Sequence, residues 1–217
     1  MTKRLKEICL HIPKSKALAD VGCDHGYCAR YALKNGLAEH VYITDISAQS
    51  LEKAKTLLRK EIEEGKCVAL VGDGLRVLPE ECTVLIAGMG GEEIVKILSY
   101  DIPPVFLLQP MKNTEKVRRF LVERGCSVSL DYTFEDGKFY DLILGARGGG
   151  DRYTEEEFLY GRDNLKNPSP AFLKKLRTER DKIKNYLLSS PSEEEREKLM
   201  KRLQEKERLL NEIDGNL

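Results

Sequence analysis

Through residue 110 the chain alternates short apolar runs with segments whose apolar residues recur at helical spacing, and few folds accommodate that alternation. A strand buried on both faces reads as a continuous apolar run, and joining two parallel strands requires a crossover that is usually a helix. The pattern therefore predicts successive βαβ units around a mostly parallel sheet. Strands are expected at 17–21, 40–45 (HVYITD), 67–73 (CVALVGD), 83–91 (TVLIAGMGG, with its exit loop) and 104–110 (PVFLLQP). Helices are expected at 27–34, at 47–64 with Leu51, Ala54, Leu58 and Ile62 on one face, and at 92–98.

Beyond residue 110 the pattern changes. Residues 114–123 read as a helix, and CSVSLDYT and KFYDLILGAR then flank FEDG, where Asp136 and Gly137 signal the turn of an antiparallel hairpin. Five parallel strands closed by such a hairpin resemble the seven-stranded Rossmann-like sheet of class I methyltransferases more than a dehydrogenase, which would continue with further βα units. RGGGD (147–151) marks a boundary, because adjacent glycines hold regular structure poorly. The expected division is an α/β domain over 1–149 and a helical one over 150–217. Thr154 with Glu157 forms a capping box, and Ser169-Pro170 opens a helix carrying Phe172, Leu176, Ile183 and Leu187 along one face. SSPSEEE (189–195) turns the chain into another helix with Leu199, Leu203, Leu210 and Ile213, which predicts an antiparallel, coiled-coil-like helical hairpin.

Lys plus Arg and Asp plus Glu both number 36, so no overall basic field marks a nucleic-acid binder and any such site must come from local segregation of charge. The six cysteines form no CxxC pair, which favours free thiols over zinc or disulfides, and no metal is expected. No stretch approaches the roughly 18 apolar residues of a membrane span. A cytoplasmic monomer without a membrane partner is the expectation.

The chemistry gathers at the strand ends. ADVGCDHGY (19–27) has the form of a nucleotide-binding glycine loop in which Asp20, Gly22 and Gly26 keep their places while Asp24 replaces the middle glycine. That carboxylate would repel a pyrophosphate but can face a cationic, aminoacyl-type ligand, which favours S-adenosylmethionine over a dinucleotide. Asp45, followed by Ile46, ends the second strand where a ribose-binding acid belongs, although it could instead cap the next helix. Asp73 and Gly74 end the third strand, placed to meet an adenine. Ala87, Gly88, Met89 and Gly90 let a further backbone segment approach the same cleft, and Gln109 and Pro110, with Asn113 beyond them, offer amide contacts and a rigid wall to a flat heterocycle.

ADVGCDHGY, AGMGGEEI and LQPMKN, in that order and followed by EDGKFYDLILGARG and a helical tail, resemble the TrmK family of bacterial tRNA adenine N1-methyltransferases that modify position 22. The resemblance spans essentially the whole chain. It implies a class I methyltransferase fold, S-adenosylmethionine as donor and tRNA as substrate. The chain departs from the family's pattern in LQPMKN, so no catalytic amide is assigned to position 111. On this reading Asp24, His25, Tyr27, Gln109 and Pro110 surround the target base. Phosphate contacts are expected from Lys112, Arg118 and Arg119 near the cleft mouth and from the locally basic helix with Lys174, Lys175 and Arg177, although those charges could equally pair between helices. Two other readings fit the same residues: a small-metabolite methyltransferase, and a non-catalytic S-adenosylmethionine-binding interaction protein.

Overall fold

The computed structural model describes residues 1–78, 82–189 and 192–215. Its centre is a seven-stranded sheet of β1 (Ser15–Val21), β2 (Ala38–Asp45), β3 (Cys67–Val71), β4 (Thr83–Met89), β5 (Val105–Pro110), β6 (Cys126–Asp136) and β7 (Lys138–Gly149), in the order β3-β2-β1-β4-β5-β7-β6. The β1–β5 pairs are parallel, and β7 runs antiparallel to both β5 and β6. This is the doubly wound sheet with a terminal hairpin that the apolar runs predict. The strand order reverses at β1 and β4, where open α/β sheets form their ligand crevice.

Helices cover both faces. α1 (Lys3–Leu10), α2 (Tyr27–Lys34), α3 (Ala48–Leu57) and α4 (Arg59–Glu63) lie on one side, where Ile8, Cys9, Ala29, Leu51, Ala54 and Leu58 pack with Leu18, Ile43 and Leu107 of the sheet. α5 (Gly91–Leu98) and α6 (Thr114–Glu123) bury Ile94, Leu98, Val117 and Leu121 against Val84, Ile86, Phe106 and Leu108 on the other.

Three differences from the sequence reading matter. The helix expected over 47–64 is broken at Leu58, whose side chain is fully buried and whose φ of −103° and ψ of 16° leave the helical basin. The hairpin strands run into the glycine triplet, since Gly149 pairs with Cys126, so the glycines extend the sheet before the chain turns away. α1 was not anticipated at all. Thr2 caps it by accepting from the Leu5 N–H, and Leu5, Ile8, Cys9 and Ile12 supply its inner face.

After the sheet come α7 (Glu155–Tyr160), α8 (Arg162–Lys166), α9 (Pro170–Leu187) and α10 (Glu193–Gly215). The capping box of Thr154 and Glu157 and the Ser169 cap are present. Lys184–Glu207 and Arg177–Asp214 pair α9 with α10 in antiparallel sense, over an apolar seam of Phe172, Leu176, Leu209, Leu210 and Ile213. Ser190 and Pro191 of the expected turn lie outside the described residues. α7–α9 are tied to the hairpin strands by buried polar groups: Asn164 bonds the Thr133 N–H and hydroxyl, and Lys175 bonds Asp141.

Candidate active site

The carboxyl ends of the parallel strands enclose a cavity of about 300 Å³ lined by Gly22, Thr44, Asp45, Ile46, Asp73 and Gly74, with Met89 as one wall and Glu93, Lys96 and Ile97 of α5 closing it. Its floor is bare backbone. Gly22 has φ +69°, and a Cβ there would stand 2.0 Å from Met89 Cε, so the thioether reaches into space only glycine leaves open. Ser47 performs the capping of α3, and Asp45 Oδ1 accepts from the Ser47 N–H at 2.8 Å, leaving Oδ2 without a partner among the described residues. Asp73 is exposed, with Arg76 Nε 3.8 Å away. Thr44 Oγ1 is buried in the cavity wall with no hydrogen-bond partner among the described residues. Ile46 is 75% exposed, an apolar surface against which a flat ring can lie. Two acceptors, an orphaned hydroxyl and an open apolar side chain around a glycine floor fit a nucleoside carrying ribose hydroxyls and an exocyclic amine, as S-adenosylmethionine does.

Two expected donor contacts turn inward. Asp20 is 5% exposed and accepts from the Ala29 N–H at 3.2 Å, fastening β1 to the first turn of α2. Burial pushes its carboxyl up from 3.8 to about 7 against the lowering effect of that N–H. Gly26 is buried, and a Cβ there would meet Leu58 Cδ1 at 2.9 Å and the Ala54 Cβ at 3.1 Å, so it allows α2 to pack on α3. A carboxyl whose folded pKa exceeds its unfolded value contributes stability that is complete below the unfolded pKa and is lost as pH rises through the folded one. Melting curves between pH 4 and 8 are therefore expected to show a decline toward pH 7 that Asp20→Asn removes; a mutant profile parallel to wild type would contradict this.

Asp24 stands outside the cavity with φ +45°, a left-handed conformation Asp tolerates better than most residues. Its carboxylate is 3.2 Å from Lys53 Nζ of α3 and 3.5 Å from His25 Nε2. The His25 and Tyr27 rings stack at 5.5 Å with 27° between planes, and both side chains are exposed. The loop thus presents a paired carboxylate beside a flat aromatic surface.

The loops after β4 and β5 are bound to each other. A bulge at Gly88, φ +83°, shifts the register between Ala87 and Met89. The Met111 N–H donates to Met89 O and the Gly91 N–H to Lys112 O, both at 2.8 Å, and a Cβ on Gly90 would meet Lys112 Cε at 3.3 Å. Gln109 corrects the expectation of a free amide: it is fully buried, its Oε1 accepting from Arg4 Nη1 at 2.8 Å and its Nε2 donating to Pro110 O at 2.9 Å. It braces the loop internally. Pro110, also buried, walls a larger groove of about 670 Å³ that runs toward α9 and α10. Arg4 of α1 is the site residue that sequence reasoning missed. Its own N–H donates to Asp136 of the hairpin turn at 2.8 Å, and its guanidinium lies 5.6 Å from the centre of the Tyr140 ring.

The expected phosphate contacts divide sharply. Arg118 is 1% exposed and bound to Asp131, which removes it from any surface role. Arg119 pairs with Glu115 and Glu155, Lys174 with Glu135, Lys175 with Asp141 and Arg177 with Asp214. Lys112 is exposed and has no acidic partner among the described residues. No group of three or more potential metal ligands occurs among the described residues, and no helix there is long and apolar enough to cross a membrane.

This sheet order and strand-end cavity define a Rossmann-like methyltransferase domain, and the family described as Methyltransferase domain matches residues 1–143. A Mycoplasma pneumoniae relative is 32% identical over 157 residues, covering 68% of this chain and 72% of its own. The tRNA (adenine(22)-N(1))-methyltransferase of Bacillus subtilis is 28% identical over 229 residues, covering 98% of this chain and 96% of that one. The solved structure of M. capricolum TrmK, in complex with S-adenosyl-homocysteine, shares the fold with a TM-score of 0.87 at 21% identity, over 97% of this chain and 98% of that chain. The chain belongs to the TrmK family.

Proposed function

We propose that the chain methylates N1 of adenine 22 in tRNA with S-adenosylmethionine as donor, acting as a cytoplasmic monomer in which residues 1–149 bind the donor and 150–217 form a helical unit. The carrying observation is the convergence of a glycine floor, Asp45 and Asp73 in one cavity beside the mutually bound β4 and β5 exit loops. The name of the B. subtilis relative and the S-adenosyl-homocysteine in the M. capricolum structure support the substrate and the donor.

When bound, S-adenosylmethionine supplies an electrophilic methyl group on a sulfonium. Asp45 accepts from the ribose hydroxyls, each charge-assisted bond contributing about 1.5–3 kcal/mol, and Asp73 accepts from the exocyclic amine. Ala87, Gly88, Met89 and Gly90 form the wall nearest the transferred group. Adenine N1 carries its own lone pair at neutral pH, so the main task of the protein is placement, which can supply roughly 7–11 kcal/mol of the barrier. Tyr27 and His25 offer the unstacked base a planar surface worth about 1–3 kcal/mol, with Pro110 as the opposing wall. Asp24 favours the positive charge that develops on the purine, and Lys53 orients its carboxylate.

Incubation with labelled donor and unmodified tRNA is expected to give reverse-transcription stops at adenine 22, because a methyl on N1 blocks pairing. Asp24→Ala and His25→Ala should lower turnover more than donor affinity. Label entering other positions, or small molecules alone, would sink the proposal.

A further inference from the structure

We infer that the N-terminal turn of α1, with Lys112 and Lys138, is the rim that grips tRNA phosphates at the cleft mouth. This rests on the proposed tRNA substrate and names the surface that takes its backbone. The first observation is which cations are already neutralised. On α9, Lys174, Lys175, Arg177, Arg180 and Lys184 each have a carboxylate within salt-bridge distance, which leaves Lys182 as the one cation of that helix without such a partner among the described residues. A cation so paired must first release its carboxylate, at a cost of up to about 1 kcal/mol for an exposed pair, before it meets a phosphate. Lys3, Lys112 and Lys138 are all exposed and have no carboxylate within salt-bridge distance among the described residues.

The second observation is where these three stand. Arg4 joins three segments at one point: its N–H binds Asp136, two positions before Lys138, and its guanidinium binds Gln109 and lies 3.6 Å from Met111 Sδ, next to Lys112. Lys3 precedes it in the first turn of α1, on the face away from buried Ile8 and Cys9. Because β7 runs antiparallel to β5, its start at Lys138 projects beyond the carboxyl end of β5, the edge that holds the cleft. Most acids nearby are engaged: Glu7 accepts from Tyr132, Asp136 from Arg4, Glu92 pairs with Lys116 and Asp24 with Lys53, while Glu93 on α5 has no cationic partner among the described residues. Three ammonium groups without a salt-bridge partner among the described residues therefore stand on the segments that border the opening into which a target base must pass.

Each phosphate contact that releases a counterion adds about 0.7–0.9 to the slope of log affinity against log salt. The variant Lys3→Gln/Lys112→Gln/Lys138→Gln is expected to lose about 2–3 from that slope in tRNA binding, and at least tenfold in affinity near 0.1 M salt. Donor affinity and melting temperature should stay at wild-type values, which confirms that the variant is folded. A slope unchanged in this variant, or a larger loss in Lys174→Gln/Arg177→Gln/Lys184→Gln, would overturn the assignment. Wild-type protein with no salt-dependent affinity for tRNA would instead fail the proposed function itself.

Discussion

Replacing Arg118 with alanine is expected to destabilise the protein by about 3–5 kcal/mol, the usual result of removing one partner from a buried ion pair. Arg118 Nε is 2.9 Å from both carboxylate oxygens of Asp131, Nη2 is 2.9 Å from Asp131 Oδ1 and 3.7 Å from Asp141 Oδ2, and Nη1 donates to Phe158 O at 3.2 Å. Without the guanidinium, Asp131 keeps only the Tyr153 hydroxyl and the Arg162 N–H beside it, and Asp141 relies on Lys175 and Thr133. Burial pushes the Asp141 carboxyl up, but Lys175 and Arg118 outweigh it and hold the group at about 2. The loss also falls on α7, whose C-terminal carbonyls Arg118 bonds, so the helical unit should loosen first. For a chain of this size each kcal/mol moves the melting midpoint by roughly 2–4 °C, so a drop on the order of 10 °C is expected. Arg118→Lys should not restore it, since an ammonium group cannot make the bidentate contact. A urea-unfolding midpoint within error of wild type would show that the junction does not depend on this residue.

The arginine also illustrates what a sequence conceals. The apolar runs were enough for the parallel strands because burial on both faces is a local, one-dimensional signal, and Gly22, Asp45 and Asp73 follow from the strand ends. Arg118 sits in a polar-looking stretch of α6, and its partners on β6 and β7 are joined to it only by the folded sheet. The same applies to the basic run on α9: consecutive lysines and arginines look free until α10 and the hairpin bring Asp214, Glu207, Glu135 and Asp141 against them. α1 is legible in principle, since Leu5, Ile8, Cys9 and Ile12 keep helical spacing behind a Thr2 cap, but it precedes the first strand and so falls outside the βαβ alternation that carries the fold prediction. Gln109 looks like a ligand contact until Arg4, more than a hundred residues earlier in the chain, is seen to satisfy it. Strand-end chemistry is therefore readable where one element suffices, and ambiguous where charge or amide groups depend on a distant partner.

Gly91→Ala is expected to reduce the rate of methyl transfer by roughly 10²-fold, the scale on which an ångström of misplacement acts. A Cβ at this position would lie 2.4 Å from Asn113 O and 2.8 Å from Lys112 O, and both are backbone atoms that cannot swing aside. The clash falls where the Gly91 N–H meets Lys112 O, one of two hydrogen bonds that hold the β4 and β5 exit loops together. Relief requires the loops to separate, which carries Pro110 and Met111 away from Met89 and widens the gap across which donor and base must align. Overpacking of this kind costs about 1–3 kcal/mol of stability, so the protein should remain folded at assay temperature. Gly22, Asp45 and Asp73 stand at the ends of β1, β2 and β3, away from the clash, whereas Met89 and α5 also line the cavity, so donor affinity should fall by less than the transfer rate. Gly36→Ala provides the contrast, because Gly36 meets nothing within 4 Å and its positive φ adds backbone strain that Gly91 does not have, so it carries strain without a clash. Single-turnover rates at saturating tRNA, with donor affinity measured by calorimetry on the same samples, separate the outcomes. A Gly91→Ala enzyme that transfers as fast as Gly36→Ala would mean that the contact between these two loops does not position the reacting groups.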